Sequence, residues 1–215
     1  MKFGGTSVAN LSRIKNLQQL VKNKILSGHR KIIVVVSAMS GVTNDLVEQY
    51  KKIDSDINKP EYDVILSTGE QYSSALISTF LNKNGVRSRS ILGWQVPIIT
   101  DNKFSQARIE RIDTEKILKL FKKFDVLVVA GFQGISPEER ITTLGRGGSD
   151  TSAVAMAVAL KSKICEIYTD VEGIFSSDPR VVRDAKKIKN ITYEEILEMA
   201  SLGSKVLHPR SVELA

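Results

Sequence analysis

Short apolar runs alternate with longer mixed segments along the whole chain. The runs are rich in Val, Ile and Leu, which is typical of strands buried on both faces of a parallel sheet. They predict strands over residues 31–37, 63–69, 87–93, 125–131 and 165–171. Segments between them carry apolar residues at helical spacing and predict helices near residues 10–27, 43–53, 70–84, 113–123, 149–161 and 192–201.

This alternation predicts repeated βαβ units. Such units build a three-layer α/β/α sandwich around a mostly parallel sheet, and we expect that α/β fold here. Residues 133–143 carry Gly134 and Pro137 between two apolar segments and predict a hairpin or flap. No linker-like change in composition divides the chain, so we expect one domain.

Charge gives a weaker indication of the ligand. The chain has 215 residues, with 31 Lys and Arg against 24 Asp and Glu, which leaves a net charge of +7. A positive surplus favours polyanions, and these include ATP as well as nucleic acid. The lysines are scattered and aromatic residues make up only 6% of the chain, so we expect no nucleic-acid partner.

The sequence also bears on the cell compartment. The longest apolar stretches, residues 32–36 and 153–160, are far shorter than the roughly 20 residues that cross a bilayer. We therefore expect no membrane partner. The first residues, MKFGGTSVAN, lack the apolar core of a secretory signal. Cys165 is the single cysteine and cannot form an internal disulfide, so we expect a cytoplasmic protein with an inert thiol.

Glycines recur where the predicted strands end. In open α/β sheets, ligands bind outside the carboxyl ends of the strands, and glycine lets backbone N–H groups approach an anion there. Ordinary turns are the alternative explanation for each glycine alone. The glycines concerned are Gly4, Gly5, Gly41, Gly69, Gly131, Gly145, Gly147 and Gly148.

Two common nucleotide motifs are absent. No Gly-Lys dipeptide occurs in the chain, which excludes a P-loop. The segment GRGGSD begins like a dinucleotide-binding motif, but Asp150 stands where the last glycine should be. The same segment precedes a predicted helix, so Arg146 and Ser149 could bind an anion at the helix N-terminus. Capping of the helix by Ser149 or Asp150 remains an alternative.

Four more polar residues follow or precede apolar runs. Ser37 and Thr43 could bind a phosphate or carboxylate, or form a polar turn with Thr43 as the helix N-cap. Glu70, at a predicted strand-to-helix junction, is either a ligand for an ammonium group or a first-turn helix charge. Lys2 precedes a Gly pair and could neutralise a transferred phosphoryl group, or be a solvated terminus.

A later segment could contact a nucleotide. Residues 169–180 place Asp170 at a strand end and Arg180 after a bend, and they either fold over a base and ribose or form a surface turn. Lys205 is either a second phosphate cation or solvated. His29 and His208 have no metal-ligand spacing, and we assign them no chemistry.

Seven segments together resemble the aspartate kinases of the amino-acid kinase superfamily. In order, they are KFGGTS, VVVSAMSGVTND, LSTGEQ, VAGFQG, TTLGRGGSDTSA, TDVEGIFSSDPR and GSKVLHPRSVE. The resemblance implies an amino-acid kinase catalytic domain over residues 1–215. It also implies ATP-dependent phosphorylation of the L-aspartate side-chain carboxylate to 4-phospho-L-aspartate, the first step towards lysine, threonine, methionine and diaminopimelate.

The resemblance assigns a role to each matching residue. Lys2 would stabilise the transferring phosphoryl group and Asp150 would organise Lys2, so these two are the expected catalytic residues. The expected substrate-binding residues are Ser37, Thr43, Glu70, Arg146 and Ser149. The expected ATP-binding residues are Lys2, Phe3, Gly4, Gly5, Thr169, Asp170, Phe175, Arg180 and Lys205. Mg²⁺ would be carried by ATP, with no protein metal site.

The chain departs from the family pattern in four respects. Phe175 replaces the usual Tyr, which removes a hydroxyl from the nucleotide segment. Only Met1 precedes Lys2 and the chain stops at Ala215, so we expect a domain truncated at both ends, without the C-terminal ACT regulatory domains. The short join between Gln49 and Asp63 resembles the compact bacterial subclass. The family also implies a homo-oligomer or association with longer subunits.

Two other functions remain open. One is a related kinase for glutamate, acetylglutamate, carbamate or UMP, against which Glu70 and the Arg146 segment argue. The other is a non-catalytic fragment that binds nucleotide or pairs with another chain.

Overall fold

A computed structural model of the chain describes residues 1–177, 181–201 and 207–215. Over these residues the strands are β1 (Lys2–Phe3), β2 (Ile32–Val36), β3 (Ser88–Ile91), β4 (Ile98–Thr100), β5 (Ile109–Ile112), β6 (Val126–Ala130), β7 (Gln133–Ile135), β8 (Ile141–Thr143) and β9 (Ile167–Tyr168). The α-helices are α1 (Leu11–Leu26), α2 (Val42–Lys51), α3 (Pro60–Lys83), α4 (Thr114–Leu120), α5 (Gly148–Ala159), α6 (Tyr193–Ser201) and α7 (Pro209–Leu214). A 3₁₀ turn spans Gly5–Val8.

The central sheet has five parallel strands in the order β3-β6-β2-β1-β9. Alternate side chains of a strand point to opposite faces. Val34 and Val36 accordingly pack with Ile14 and Leu17 of α1 and with apolar residues of α3. Val35 packs on the other face with residues of α4 and α5. The predicted α/β/α sandwich is therefore confirmed.

A second sheet flanks the first, with strand order β5-β4-β7-β8. Strands β7 and β8 are antiparallel, and Gln133 pairs with Thr143. The predicted hairpin over residues 133–143 is confirmed. Strands β4 and β5 are short and were not predicted from the sequence.

The prediction of a strand over residues 63–69 is wrong. These residues lie within α3, which begins at Pro60, and the predicted helix over 70–84 is its second half. The run Val64-Ile65-Leu66 fits a strand or a buried helix equally well, because a short apolar run has no diagnostic period. The buried positions of α3 recur every three or four residues, which identifies the helix. Glu70 is therefore in the middle of a helix and not at a strand-to-helix junction.

Two further features bear on the predictions from composition. Within the part of the chain described, none of the helices combines the length and apolar character needed to cross a bilayer. Cys165 is a half-buried free thiol just before β9. Burial raises the pKa of this thiol, which favours the protonated and less reactive form.

Candidate active site

A pocket of about 860 Å³ lies beyond the carboxyl ends of the central strands. This is where ligands bind in open α/β sheets. The pocket is lined by all seven residues expected to be catalytic or to bind substrate: Lys2, Ser37, Thr43, Glu70, Arg146, Ser149 and Asp150. Residues far apart in the sequence thus meet in one cavity.

The N-terminus of α5 forms one wall of this pocket. Its N-cap is Gly147, which has φ +71° and provides no side-chain cap. Ser149 and Asp150 lie inside the helix, so the alternative that either residue caps it is wrong. Likewise, Thr43 lies inside α2, whose N-cap is Gly41. The first turn of α5 therefore offers N–H groups and positive potential to a ligand.

Close packing at Gly131 fixes the position of α5. A Cβ atom at Gly131 would lie 2.9 Å from Cβ and 3.0 Å from Oγ of Ser149, and 3.0 Å from Cγ1 of Val35. Only glycine allows the helix end to come this close to the end of β6.

We predict that Gly131→Ala lowers the free energy of unfolding by about 1–3 kcal/mol, because the added methyl group overpacks this contact. The added methyl group should also displace Ser149 and thereby weaken ligand binding in the pocket. Urea denaturation measures the first effect, and a free energy of unfolding equal to that of the unmodified chain would contradict the prediction.

Lys2 and Asp150 form an ion pair within the pocket. The distance from Lys2 Nζ to Asp150 Oδ1 is 2.7 Å, and the side chains are only 10% and 15% exposed. The contact is an ion pair rather than an aligned hydrogen bond. Lys2 is anchored in β1, where its backbone N–H donates to the Glu166 carbonyl at 2.7 Å. A partly desolvated ammonium on a fixed strand can stabilise an anion strongly.

Glu70 is a buried acceptor with one oxygen free. Its Oε1 accepts a hydrogen bond from the Ala38 N–H at 2.9 Å, while Oε2 has no partner among the described residues. Burial raises the pKa of this carboxyl to about 7. The close approach depends on Gly69, where a Cβ atom would lie 2.7 Å from that of Ala38. A buried carboxylate with a free oxygen is suited to a cationic donor.

Arg146 lies at the rim of the pocket. Its side chain is exposed and makes no hydrogen bond or ion pair with any residue that the structure describes. Its planar guanidinium can therefore bind a carboxylate through two parallel hydrogen bonds. Ser37 follows β2, Thr43 lies in the first turn of α2, and both line the cavity.

Among the predicted ATP-binding residues that the structure describes, Lys2 lines this cavity and the others do not. The Phe3 ring is buried and stacks on Tyr168 with centroids 4.6 Å apart, so it is available to a ligand only through its backbone. The Gly4 N–H donates to the Tyr168 carbonyl at 3.4 Å. Thr169 and Asp170 are exposed just beyond β9, and Thr169 Oγ1 donates to Asp170 Oδ1 at 3.2 Å.

Four other predicted nucleotide residues have separate outcomes. Phe175 is half-buried, and its backbone pairs with that of Lys187 in a single antiparallel bridge. Gly5 packs against the 38–40 loop, where a Cβ atom would lie 2.7 Å from the Ala38 carbonyl oxygen. The predictions for Arg180 and Lys205 lie outside the described residues.

Several residues of the site were not predicted. Arg210, near the start of α7, donates from Nη1 to the Leu144 carbonyl at 2.9 Å and from Nη2 to the Gln106 carbonyl at 3.2 Å. His208 is the N-cap of α7 and, like Arg210, lines the pocket. Both residues belong to the HPRSVE segment, which contributes to the family resemblance, but the spacing of residues in the sequence does not indicate a role for either.

Comparisons with known proteins identify relatives of this chain. The chain is 51% identical to an aspartokinase of Rickettsia felis, over 99% of the chain and 54% of that protein. It is 52% identical to an aspartate kinase of Pseudomonas putida, over 100% of the chain and 52% of that protein. The chain thus spans about half the length of the curated relatives it matches.

Solved structures of aspartate kinases are also similar to this chain. Aspartate kinase from Synechocystis superimposes with a TM-score of 0.85 at 48% identity, covering 100% of this chain and 35% of that one. Aspartokinase III of E. coli, in a complex with aspartate and ADP, gives a TM-score of 0.86 at 31% identity, covering 100% and 58%. A model of the amino acid kinase family matches residues 1–215. The whole chain therefore belongs to the amino acid kinase family.

Proposed function

We propose that this chain is a catalytic domain that transfers the γ-phosphoryl group of ATP to the side-chain carboxylate of L-aspartate. One observation carries the proposal: the same pocket contains the Lys2–Asp150 pair and a buried Glu70 with a free oxygen. The first feature suits a phosphoryl group, and the second suits the ammonium group of an amino acid. The relatives named aspartokinase support this choice of substrate.

The reaction needs positioning and charge neutralisation more than proton transfer. A carboxylate nucleophile is already ionised at neutral pH, so no general base is required. Lys2 would neutralise charge on the transferring phosphoryl group, and Asp150 would hold the Lys2 ammonium in place. Glu70 would accept from the substrate ammonium, while Arg146 and Ser149 would bind its α-carboxylate. Ser37 and Thr43 would supply hydroxyl donors.

ATP would enter from the side of β1 and β9, where Gly4 adjoins both the pocket and the nucleotide segment. A Cβ atom at Gly4 would lie 3.6 Å from Lys2 Nζ and 4.0 Å from the Tyr168 carbonyl oxygen. Thr169 and Asp170, just beyond β9, are available to the nucleoside.

Mg²⁺ would accompany the nucleotide. Among the described residues, no group of three or more His, Cys, Asp or Glu side chains could hold a metal ion. Mg²⁺ commonly binds substrate phosphates while keeping several water ligands, and here it would neutralise charge on the ATP phosphates. Association with further copies or with longer subunits, and action in the cytoplasm, complete the proposal.

The test is acyl phosphate formation by the purified chain. ATP and Mg²⁺ are supplied with aspartate, glutamate or UMP; hydroxylamine traps any acyl phosphate as a hydroxamate, and ADP release reports UMP phosphorylation. We expect hydroxamate from aspartate alone. Product from glutamate or UMP instead would assign a related kinase, while ATP binding without turnover on any substrate would identify a non-catalytic domain.

Arg146→Lys should raise the KM for aspartate with little change in the KM for ATP. A lysine keeps the charge but cannot form two parallel hydrogen bonds with a carboxylate, and the lost bond corresponds to about a tenfold increase. Steady-state kinetics with aspartate as the varied substrate measures the effect. An unchanged KM for aspartate would exclude Arg146 as the carboxylate ligand.

A further inference from the structure

Asp63 is a buried carboxylate whose function the mechanism above does not explain. It lies near the start of α3, is fully buried, and does not line the pocket. Burial raises the pKa of its carboxyl, against the opposing effect of its hydrogen bonds. A buried carboxylate is costly unless its oxygens are well satisfied, so its contacts indicate what it does.

The contacts of Asp63 join α3 to two separate segments. Both of its oxygens accept from the Ser105 N–H, at 2.9 and 3.0 Å. The Thr143 N–H donates to Oδ2 and the Thr143 hydroxyl donates to Oδ1, each at 2.7 Å. The two segments also contact each other, because the Ala107 N–H donates to the Thr143 carbonyl at 2.9 Å. Asp63 thus holds a closed arrangement of three chain segments.

Both segments lead directly into the pocket wall. Ser105 has φ +65°, a conformation that is uncommon for a residue other than glycine and that surrounding contacts must maintain. The next residue, Gln106, accepts from Arg210 through its carbonyl. On the other segment, Thr143 precedes Leu144, whose carbonyl also accepts from Arg210.

The second segment continues from Leu144 to Arg146. Since the Arg146 side chain has no partner among the described residues, the backbone that carries it determines where it points. A Cβ atom at Gly145 would lie only 3.0 Å from the Ser105 carbonyl oxygen, so the two segments remain close up to Gly145, the residue before Arg146.

Glu70 lies on the same helix as Asp63, seven residues further on. Seven residues are about two turns, so the two carboxylates share a face of α3 and are roughly 10 Å apart along its axis. Glu70 faces the substrate ammonium in the proposed function, while Asp63 fixes the segment that carries the carboxylate ligand.

We propose that Asp63 is a positioning residue, which holds Arg146 opposite Glu70 so that both groups engage one amino acid. This inference rests on the proposed function and adds to it the element that sets the geometry of substrate binding. Loss of Asp63 would leave the Thr143 and Ser105 N–H groups without their acceptor and would release the segment before Arg146.

The test compares Asp63→Ala and Asp63→Asn with the unmodified chain. In Asp63→Ala we expect the KM for aspartate to rise about tenfold while the KM for ATP changes less than twofold. Asparagine can still accept from both N–H groups and donate to the Thr143 hydroxyl, so Asp63→Asn should restore most of the affinity. Hydrogen exchange should accelerate in residues 103–107 and 143–147 of Asp63→Ala but not in the central strands.

Ser78→Ala is the matched control. Ser78 is also a buried residue of α3, and its hydroxyl lies 3.1 Å from that of Ser88 in β3, away from the pocket. Its loss should lower the free energy of unfolding without changing the KM for aspartate.

The two proposals fail in different ways. Turnover of aspartate by the unmodified chain, with an unchanged KM in folded Asp63→Ala, would overturn the role of Asp63 alone. Unchanged hydrogen exchange in the two segments would overturn it even without a measured turnover. An unmodified chain that forms no product from aspartate would overturn the proposed function, and with it the substrate-binding role given to Asp63.

Discussion

Lys2→Ala should reduce the turnover number by about 10²–10³-fold, the typical loss when a fixed donor to a developing charge is removed. The Lys2 ammonium is partly buried beside Asp150, so no surface cation can replace it. Asp150→Ala should have a similar effect, because Lys2 would lose the carboxylate that holds it. The KM for aspartate should change far less than the turnover number, because neither residue is proposed to bind the amino acid.

Lys24→Ala provides the control for Lys2→Ala. Lys24 belongs to α1, is about one-third exposed, and pairs with Glu166 outside the pocket. The Lys24→Ala substitution removes the same charge and a comparable ion pair, yet it should leave the turnover number unchanged. Steady-state rates of hydroxamate formation and circular dichroism of all three variants make the comparison. Full turnover in both Lys2→Ala and Asp150→Ala would disprove the proposed catalytic site.

The layered fold could be predicted because the strands of a parallel sheet are nearly continuous apolar runs. The runs that became β2 and β6 are buried on both faces, and their sequence has no other simple explanation. The first half of α3 could not be predicted in the same way, because Val64-Ile65-Leu66 has no diagnostic period. Its helical conformation depends on packing: Tyr62 and Leu66 pack with Tyr50 of α2, and Gly69 comes close to Ala38.

Some residues of the site could be predicted from the sequence and others could not. Lys2 and Asp150 could be named from their motifs, but their ion pair depends on β1 and the N-terminus of α5 meeting in space. Asp63 gave no signal, because a carboxylate in the first turn of a helix is ordinarily a solvated residue that favours the helix dipole. Its burial depends on Ser105 and Thr143, which are 42 and 80 residues away in the sequence.

Glu70→Gln should raise the KM for aspartate about 100-fold at pH 8, because the proposed charge pair between buried Glu70 and the substrate ammonium would be lost. In the unmodified chain, the pKa of Glu70 is about 7, so the carboxyl becomes protonated as the pH falls below neutrality. The KM for aspartate should therefore rise about tenfold from pH 8 to pH 6, and this dependence should be absent in Glu70→Gln. The same KM at both pH values in the unmodified chain would contradict the role of Glu70.

Although Glu70→Gln should bind aspartate more weakly, it should be more stable than the unmodified chain at high pH. Burial raises the pKa of Glu70 from 4.5 to about 7, so the folded state binds a proton that the unfolded state has lost between these values. Its contribution to the free energy of unfolding consequently falls as the pH rises through this window and stays low above it. The free energy of unfolding of Glu70→Gln, relative to that of the unmodified chain, should therefore increase by about 2 kcal/mol from pH 5 to pH 8.

Urea denaturation at both pH values measures this difference, and Glu48→Gln, at an exposed position of α2, controls for the loss of a surface charge. The glutamine amide can still accept from the Ala38 N–H, so the variant keeps the contact that orients the side chain. A variant whose relative stability does not change with pH would show that the carboxyl is not held in its protonated form by burial. Gain of stability together with loss of aspartate affinity would instead show that Glu70 is kept for ligand binding at a cost to the fold.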